Sequence, residues 1–306
     1  MTIGSATALL AQRRKHYPVG LLIYAVLADW NRDFDGTLTA VSRMGYEGLE
    51  LTNYSNWTPQ RAREVRALMD SLKLKCFAAH TEPPLFVPGD QMKAMIELNH
   101  ILGTQTISCV RGLAASVTPA ANNPDNAAKQ FAKKGTPAGK KGGPEIGYHP
   151  VKAGNEADAW KELRDVLQAA AVTLKEQGFA LSFHNHAVEF QTRKNGVKRP
   201  IDILAQAPDL TFTTDVNVAT RAGSDVVEFI RRYPGKTNSL LLTDGPTDEN
   251  GHMPAFGKGT IPWPAVFNAA ESVGGLKFYL LTHSAADVTP LEAVKRDLEQ
   301  YRMMHA

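Results

Sequence analysis

The sequence predicts one domain, residues 1–306, with the fold of a (β/α)8 barrel. Short apolar runs of strand length alternate with segments of helix length, and eight such pairs follow one another along the chain. Strands that alternate with helices pair in parallel, and eight parallel strands close into a barrel. An open doubly wound sheet would need a glycine-rich phosphate-binding turn after its first strand, and residues 24–29 contain no glycine.

The predicted elements can be placed in order along the chain. The strands are predicted at 20–26, 48–51, 75–80, 105–110, a run that starts at Ala180, 210–215, 239–243 and 277–281. The helices are predicted at 37–44, 59–72, 93–102, 158–177, 201–205, 225–233, 264–273 and 290–304. Gly45 and Gly103 follow two of these helices, and glycine is a frequent residue at the end of a helix.

Composition and charge limit the classes of partner and compartment. The formal net charge is +3, and lysine and arginine are scattered rather than clustered among aromatic residues, which argues against nucleic acid as a partner. Cys76 and Cys109 both lie in apolar runs, as is typical of free thiols in a reducing compartment. We find no signal-peptide pattern and no run of about 18 apolar residues. These observations predict a cytoplasmic protein without a membrane span.

Residues 114–155 interrupt the alternation after the fourth predicted strand. This segment is rich in glycine, proline and lysine and has only two acidic residues. Such a composition buries little apolar surface, so we expect a flexible insertion. Loops that follow barrel strands lie on the catalytic face, where they often act as lids. The segment is expected to be either a lid or an insertion without a function.

Two histidines and a glutamate stand together where the fifth predicted strand ends. Side chains alternate in a strand, so His184 and His186 share one face while Phe183 takes the other. Polar groups at the carboxyl end of a barrel strand are typical of an active site. We therefore predict that the catalytic residues are His184, His186 and Glu189, together with Asp215 at the end of the sixth strand.

The same segments resemble a known family. The motifs are Gly45-Tyr-Glu-Gly-Leu-Glu50, Phe183-His-Asn-His-Ala-Val-Glu-Phe190 and Asp215-Val-Asn-Val-Ala-Thr-Arg-Ala-Gly223, with further matches at 232–235, 244–245 and 256–263. From Gly20 to Arg302 the chain resembles the sugar phosphate isomerase/epimerase family, also described as xylose isomerase-like TIM barrels. The resemblance implies a barrel enzyme that acts on sugars.

The resemblance also implies a divalent metal held by Glu, Asp, His and Glu from the ends of strands five to eight. Glu189, or His184 in a shifted register, and Asp215 stand at the first two positions. Leu241 stands at the histidine position and Thr282 at the second glutamate. His283 could replace the lost imidazole only if a bulge turned it inward. We expect at most a weak site for Mn, Mg or Zn, and no other cofactor is predicted.

Three functions agree with these residues. The first is proton transfer beside the carbonyl of a sugar or keto-sugar, by an isomerase, an epimerase or a 3-keto-glycoside lyase or hydratase. In this reading His186 and Glu189 transfer protons and Asp215 orients them without a metal. The second is a catalytically silent carbohydrate-binding protein or partner of an active paralogue. The third is a metal-dependent isomerase whose ligands have moved.

Other polar residues near strand ends are candidates for contacts with a small-molecule sugar. These predicted substrate-binding residues are Glu50, His80, Arg111, Arg221, Lys258 and His283. Lys258 lies in Gly257-Lys-Gly259, where the family usually has Gly-Glu-Gly, so the charge is reversed there. The sequence leaves open whether the chain forms a homo-oligomer or a complex with a paralogue.

Overall fold

Eight parallel strands close into a barrel in chain order. The computed structural model describes residues 15–52, 54–110, 156–193, 198–248, 252–283 and 287–305. The strands are β1 (Val19–Leu22), β2 (Gly48–Leu51), β3 (Lys75–Thr81), β4 (Thr106–Cys109), β5 (Ala180–His184), β6 (Leu210–Asp215), β7 (Thr237–Leu242) and β8 (Phe278–Leu281). Each strand pairs with the next, and β8 pairs with β1. The predicted fold class is therefore confirmed.

Helices connect the strands on the outside of the barrel. They are α1 (Leu27–Arg32), α2 (Phe34–Met44), α3 (Pro59–Ser71), α4 (Asp90–Leu102), α5 (Glu156–Glu176), α6 (Ala187–Phe190), α7 (Pro200–Leu204), α8 (Val216–Arg221), α9 (Val226–Arg232), α10 (Trp263–Ala269) and α11 (Pro290–His305). Short 3-10 segments cover Ile23–Val26 and Pro83–Phe86, and a π-helical turn covers Ala270–Gly274. Gly45 and Gly103 adopt left-handed conformations at the ends of α2 and α4, as the sequence predicts.

The structure corrects the predicted elements at three places. The first strand ends at Leu22, residues 23–26 are helical rather than extended, and the helix α1, which was not predicted, follows them. The helices α6 and α8 directly follow β5 and β6, and neither was predicted. Helices of four and six residues are too short to show a helical period in the sequence. The insertion at 114–155 lies outside the described residues.

The interior of the barrel is filled by side chains. Two glycines, Gly20 and Gly48, leave room for the ring of Phe77 at the amino-terminal end. A Cβ atom added at Gly20 would lie 2.8 Å from this ring, and one at Gly48 would lie 2.7 Å from it. Further along the barrel, the hydroxyl oxygens of Ser182 and Ser239 each lie 2.9 Å from Oγ1 of Thr213. The barrel is therefore a packed core and not a pore.

The carboxyl-terminal end of the barrel has two different walls. The apolar side consists of Leu22, Leu241 and Leu280 near the ends of β1, β7 and β8, and their inner apolar cluster continues toward the amino-terminal end with Phe77, Ala78 and Phe278. The strands β2, β3, β5 and β6 instead present ionisable side chains near their carboxyl ends. Active sites of this fold lie at that end, so these ionisable side chains are the candidates for the functional site.

The structure bears on two further expectations, the membrane span and the state of the cysteines. Among the described residues, none of the helices combines the length and apolar character that crossing a membrane requires. Cys76 and Cys109 are buried and outside any disulfide, as predicted, and burial raises the pKa of the Cys76 thiol to about 12. A thiol of such high pKa is a poor nucleophile, so Cys76 is a packing residue.

Candidate active site

Glu50, His80 and His184 lie together inside the carboxyl-terminal end of the barrel. Leu49 and Leu51 pack into the core outside the barrel wall, so the alternation of β2 turns Glu50 inward. Nε2 of His80 lies 3.3 Å from Oε1 of Glu50. The rings of His80 and His184 are edge to face, with centroids 5.4 Å apart.

Glu50 and His184 are buried, His80 is partly buried, and all three side chains are incompletely bonded. Glu50 is 0% exposed and His184 is 7% exposed. Within the described part of the chain, neither oxygen of Glu50, nor Nε2 of His80, nor Nδ1 of His184 has a hydrogen-bond partner. One ligand atom from each residue lies within 4.8 Å of the others, as a metal site requires. A divalent metal is thus compatible with this part of the barrel.

His184 and His186 face the same side, as the alternation in the sequence predicts. Their rings are stacked with centroids 5.5 Å apart and planes 14° apart. Burial lowers the pKa of His184 well below its usual value, and the neighbouring His80 and His186 lower it further. The ring of His184 is therefore neutral at pH 7 and can accept a proton or bind a metal.

Glu189 lies in helix α6, one turn beyond the end of β5. Its carboxylate accepts a hydrogen bond of 2.7 Å from the backbone N–H of His186. Burial raises the pKa of Glu189 to about 8, and the hydrogen bond from His186 only partly opposes this effect. Glu189 therefore fixes the backbone that carries the His186 ring, and its ionisation falls near neutral pH. The sequence signal for this role is a glutamate three residues after the N-cap residue of a helix, which here is His186.

Asp215 ends β6 and begins helix α8. Its Oδ1 accepts hydrogen bonds from the backbone N–H of Val218 at 3.0 Å and from the hydroxyl of Thr243 at 2.6 Å. Burial raises the pKa of Asp215 to about 6, although these hydrogen bonds act in the opposite direction. Asn185 links the ends of β5 and β6, because its Oδ1 accepts from the backbone N–H of Asp215 at 2.9 Å.

The residues at the metal positions implied by the family resemblance do not fit a metal. Leu241 is the Cα partner of Asp215 in the barrel and packs in the inner apolar cluster. Thr282 supplies no carboxylate at the end of β8. The carboxylates of Glu189 and Asp215 already accept hydrogen bonds from backbone N–H groups. We therefore derive no step through a metal at these positions.

His283, a predicted substrate-binding residue, lies next to helix α11 and contacts protein groups. Its Nδ1 lies 2.6 Å from Oδ2 of Asp297 in helix α11, and its Nε2 lies 3.1 Å from the carbonyl oxygen of Met253. Both ring nitrogens thus contact protein groups, because no bulge turns the side chain inward. Substrate binding by His283 stays a prediction, and in this structure its ring contacts Asp297 and Met253.

The other predicted contacts are dispersed. Arg221 donates to Oγ1 of Thr247 at 3.3 Å, which anchors the loop after β7. Lys258 is exposed, and the backbone N–H groups of the two glycines beside it donate to Asp244. Arg111 lies outside the described residues.

Sequence reasoning missed two features of this site. Thr243 and Asn185 hold Asp215 in place, and neither was a candidate. Alternation along the strands is the signal that could have grouped Glu50, His80 and His184. Each of them lies two residues after another position that faces the inside of the barrel. Their spacing along the chain gives no such indication.

Comparisons with known proteins agree with the barrel. No family model matches the sequence, and no curated protein matches it. Solved structures do match this chain, in fold and at low sequence identity. A sugar phosphate isomerase/epimerase from Parabacteroides distasonis superposes with a TM-score of 0.68 at 16% identity, covering 97% of each chain.

Two further structures show the range of activities on this fold. A 3-keto-D-glucoside 4-epimerase from E. coli has a TM-score of 0.62 at 12% identity and covers 94% of this chain and 100% of its own. A probable 3-DHS dehydratase from Bacillus anthracis has a TM-score of 0.58 at 10% identity, with coverages of 93% and 98%. Identities this low establish the fold alone. The chain therefore has the fold of the sugar phosphate isomerase/epimerase and xylose isomerase-like barrels, which confirms the resemblance at that level.

Proposed function

We propose that this protein is an enzyme that moves a proton at the carbon beside the carbonyl of a sugar or keto-sugar. One observation carries the proposal: imidazole and carboxylate side chains collect inside the carboxyl ends of β2, β3, β5 and β6. The solved structures of this fold described above include a sugar phosphate isomerase/epimerase and a keto-glucoside epimerase. The proposal extends their class of chemistry to this chain.

The buried groups have the properties that such a reaction needs. A base takes the proton from the carbon, the electron pair moves into the carbonyl, and an acid gives the oxygen a proton. In an isomerisation the former carbonyl carbon takes the proton, while the hydroxyl on the neighbouring carbon gives its proton to the base and becomes the new carbonyl. In an epimerisation the original carbon is protonated from the opposite face, and the enol hydroxyl returns its proton to the acid as the original carbonyl re-forms. The pKa of Glu189 is raised to about 8 and that of Asp215 to about 6, so both titrate near the working pH. His186 is the proposed proton carrier, and Asp215 orients the end of β6.

A catalytically silent carbohydrate-binding protein is the second candidate. Leu241 and Thr282 stand where the resemblance implies metal ligands, and this favours the silent alternative. Such a protein would bind a sugar at the same end of the barrel without proton transfer.

Deuterium exchange tests the proposed function directly. The protein is incubated in D2O with ketoses, aldoses and 3-keto-glycosides, and NMR follows the hydrogen on the carbon beside the carbonyl. We expect enzyme-dependent exchange with at least one of these sugars. The His186→Gln variant should lose roughly 10²-fold or more of the rate, as is usual when an acid–base group is removed. The His100→Gln variant is the control, because His100 is exposed on α4.

Two results would contradict this proposal. Sugar binding without deuterium exchange would indicate a catalytically silent carbohydrate-binding protein. Exchange at equal rates in the parent protein and the His186→Gln variant would remove His186 from the reaction.

A further inference from the structure

Three side chains at the ends of β2, β3 and β5 form a cluster that lacks a shared positive partner. Glu50 is fully buried, and neither of its carboxylate oxygens accepts a hydrogen bond from the described residues. The facing nitrogens, Nε2 of His80 and Nδ1 of His184, are buried without a hydrogen bond as well. Burial of a carboxylate is costly unless a positive group contacts it. A cation between the three side chains would satisfy all of them.

The distances suit a small divalent ion. Zinc forms bonds of about 2.0–2.1 Å in tetrahedral geometry, so its ligand atoms lie roughly 3.3 Å from one another. Nε2 of His80 and Oε1 of Glu50 already have this separation of 3.3 Å. The ligand atom of His184 lies within 4.8 Å of both, which side-chain rotation can close.

We propose that Glu50, His80 and His184 bind one zinc ion. Two imidazoles and one carboxylate are a ligand set that zinc uses in catalytic sites, and a fourth position then stays open for water or a substrate oxygen. The site lies on β2, β3 and β5 and so differs from the metal positions on β5 to β8 that the resemblance implies. The inference goes beyond the proposed function, because metal binding is measured without a sugar.

The surroundings agree with this location. Leu22 is the Cα partner of Glu50 in the pairing of β1 with β2, and it clusters with Leu241 and Leu280, so the apolar side of the barrel offers no ligand. The His184 ring is neutral at pH 7, which leaves a lone pair for the metal. The carboxylate of Asp215, by contrast, is bonded to Val218 and Thr243.

The test is a titration of the whole chain, made metal-free by chelation, with zinc chloride in a calorimeter. We expect one zinc ion per chain. Removing an outer partner of a metal ligand usually costs 10–100-fold in affinity, so losing a ligand should cost at least roughly 100-fold. The variants are Glu50→Gln, His80→Asn and His184→Asn. Glu47→Gln and His100→Asn are matched controls, because both residues lie outside the cluster. These two variants should bind zinc with the affinity of the parent protein.

Asp215→Asn separates the two locations. Unchanged zinc affinity in this variant supports the site on β2, β3 and β5, whereas a loss comparable to that of His184→Asn overturns it. Circular dichroism confirms that each variant is folded. A crystal soaked in zinc supplies a second measurement, since an anomalous peak between Glu50, His80 and His184 is expected independently of any variant.

Absence of zinc binding by the folded parent protein would overturn the inference and leave the proposed function standing if deuterium exchange still occurs. Zinc binding without exchange would support the inference while contradicting the proposed function. The two proposals therefore fail separately.

Discussion

The Glu189→Gln variant is expected to be more stable than the parent protein above pH 8, by roughly 3–5 kcal/mol. The pKa of Glu189 is about 8 in the folded protein, because the carboxyl group is buried. In the unfolded chain its pKa is about 4.3. Between these values unfolding releases a proton, so the parent protein loses stability as pH rises. Glutamine keeps the acceptor for the His186 N–H and carries no ionisable group.

The measurement is the free energy of unfolding in urea from pH 5 to pH 9, taken as the difference between variant and parent. This difference should increase up to about pH 8 and then stay constant. Contributions from other groups, such as Asp215, are common to both proteins and cancel. Glu47→Gln is the matched control, since Glu47 lies at the amino end of β2 and is partly exposed. A difference that does not vary with pH would contradict the buried state of Glu189.

The same variant tests a role of Glu189 in catalysis. If Glu189 is the general base, its replacement should reduce deuterium exchange at least about 10²-fold. The parent rate should also rise with pH and level off above about pH 8, where Glu189 is ionised. An unchanged rate would limit Glu189 to holding the backbone of His186.

The Asp297→Ala variant is expected to lose about 3–5 kcal/mol of stability, because it leaves a buried histidine without its partner. Oδ2 of Asp297 lies 2.6 Å from Nδ1 of His283, and Oδ1 accepts from the backbone N–H of Phe256 at 3.0 Å. Both members of the pair are almost fully buried. The pair fastens β8 to helix α11, so its loss should loosen the final helix.

The effect of Asp297→Ala should depend on pH. Burial tends to lower the pKa of His283, but the Asp297 carboxylate outweighs burial, and the pKa is raised. The ion pair between His283 and Asp297 therefore stabilises the folded protein fully below about pH 6.5, the pKa of histidine in the unfolded chain. This stabilisation is lost as pH rises through the higher pKa of His283 in the folded protein. Unfolding at pH 6 and pH 9 should show the larger loss at pH 6. Asp287→Ala removes an exposed partner of Arg296, so its stability should stay close to that of the parent protein at both pH values. Equal losses of stability in Asp297→Ala and Asp287→Ala would contradict the stabilising role of the buried pair of His283 and Asp297.

The position of most strands and helices could be predicted because it depends on local patterns. The apolar runs at 48–51 and 210–215 match β2 and β6 at both ends. Gly45 ends α2 because its left-handed conformation is one that glycine adopts without strain. The first strand was predicted too long, because residues 23–26 are as apolar as a strand and yet form a helical turn in the structure.

The candidate site could be predicted only in part. The face shared by His184 and His186 follows from the two-residue period of a strand, and the structure shows their rings stacked. The roles of individual carboxylates do not follow from that period. Glu189 bonds to the backbone of His186, and Asp215 caps α8, because each strand turns directly into a short helix.

The sequence by itself determined the order of strands and helices and the carboxyl end as the polar end. Only the tertiary structure decided that Glu50, His80 and His184 meet, and that His283 turns away to Asp297. The physical reason is closure of the barrel. Local periodicity fixes which face of a strand a side chain takes, whereas the register between strands fixes which side chains from distant segments share one level inside the barrel.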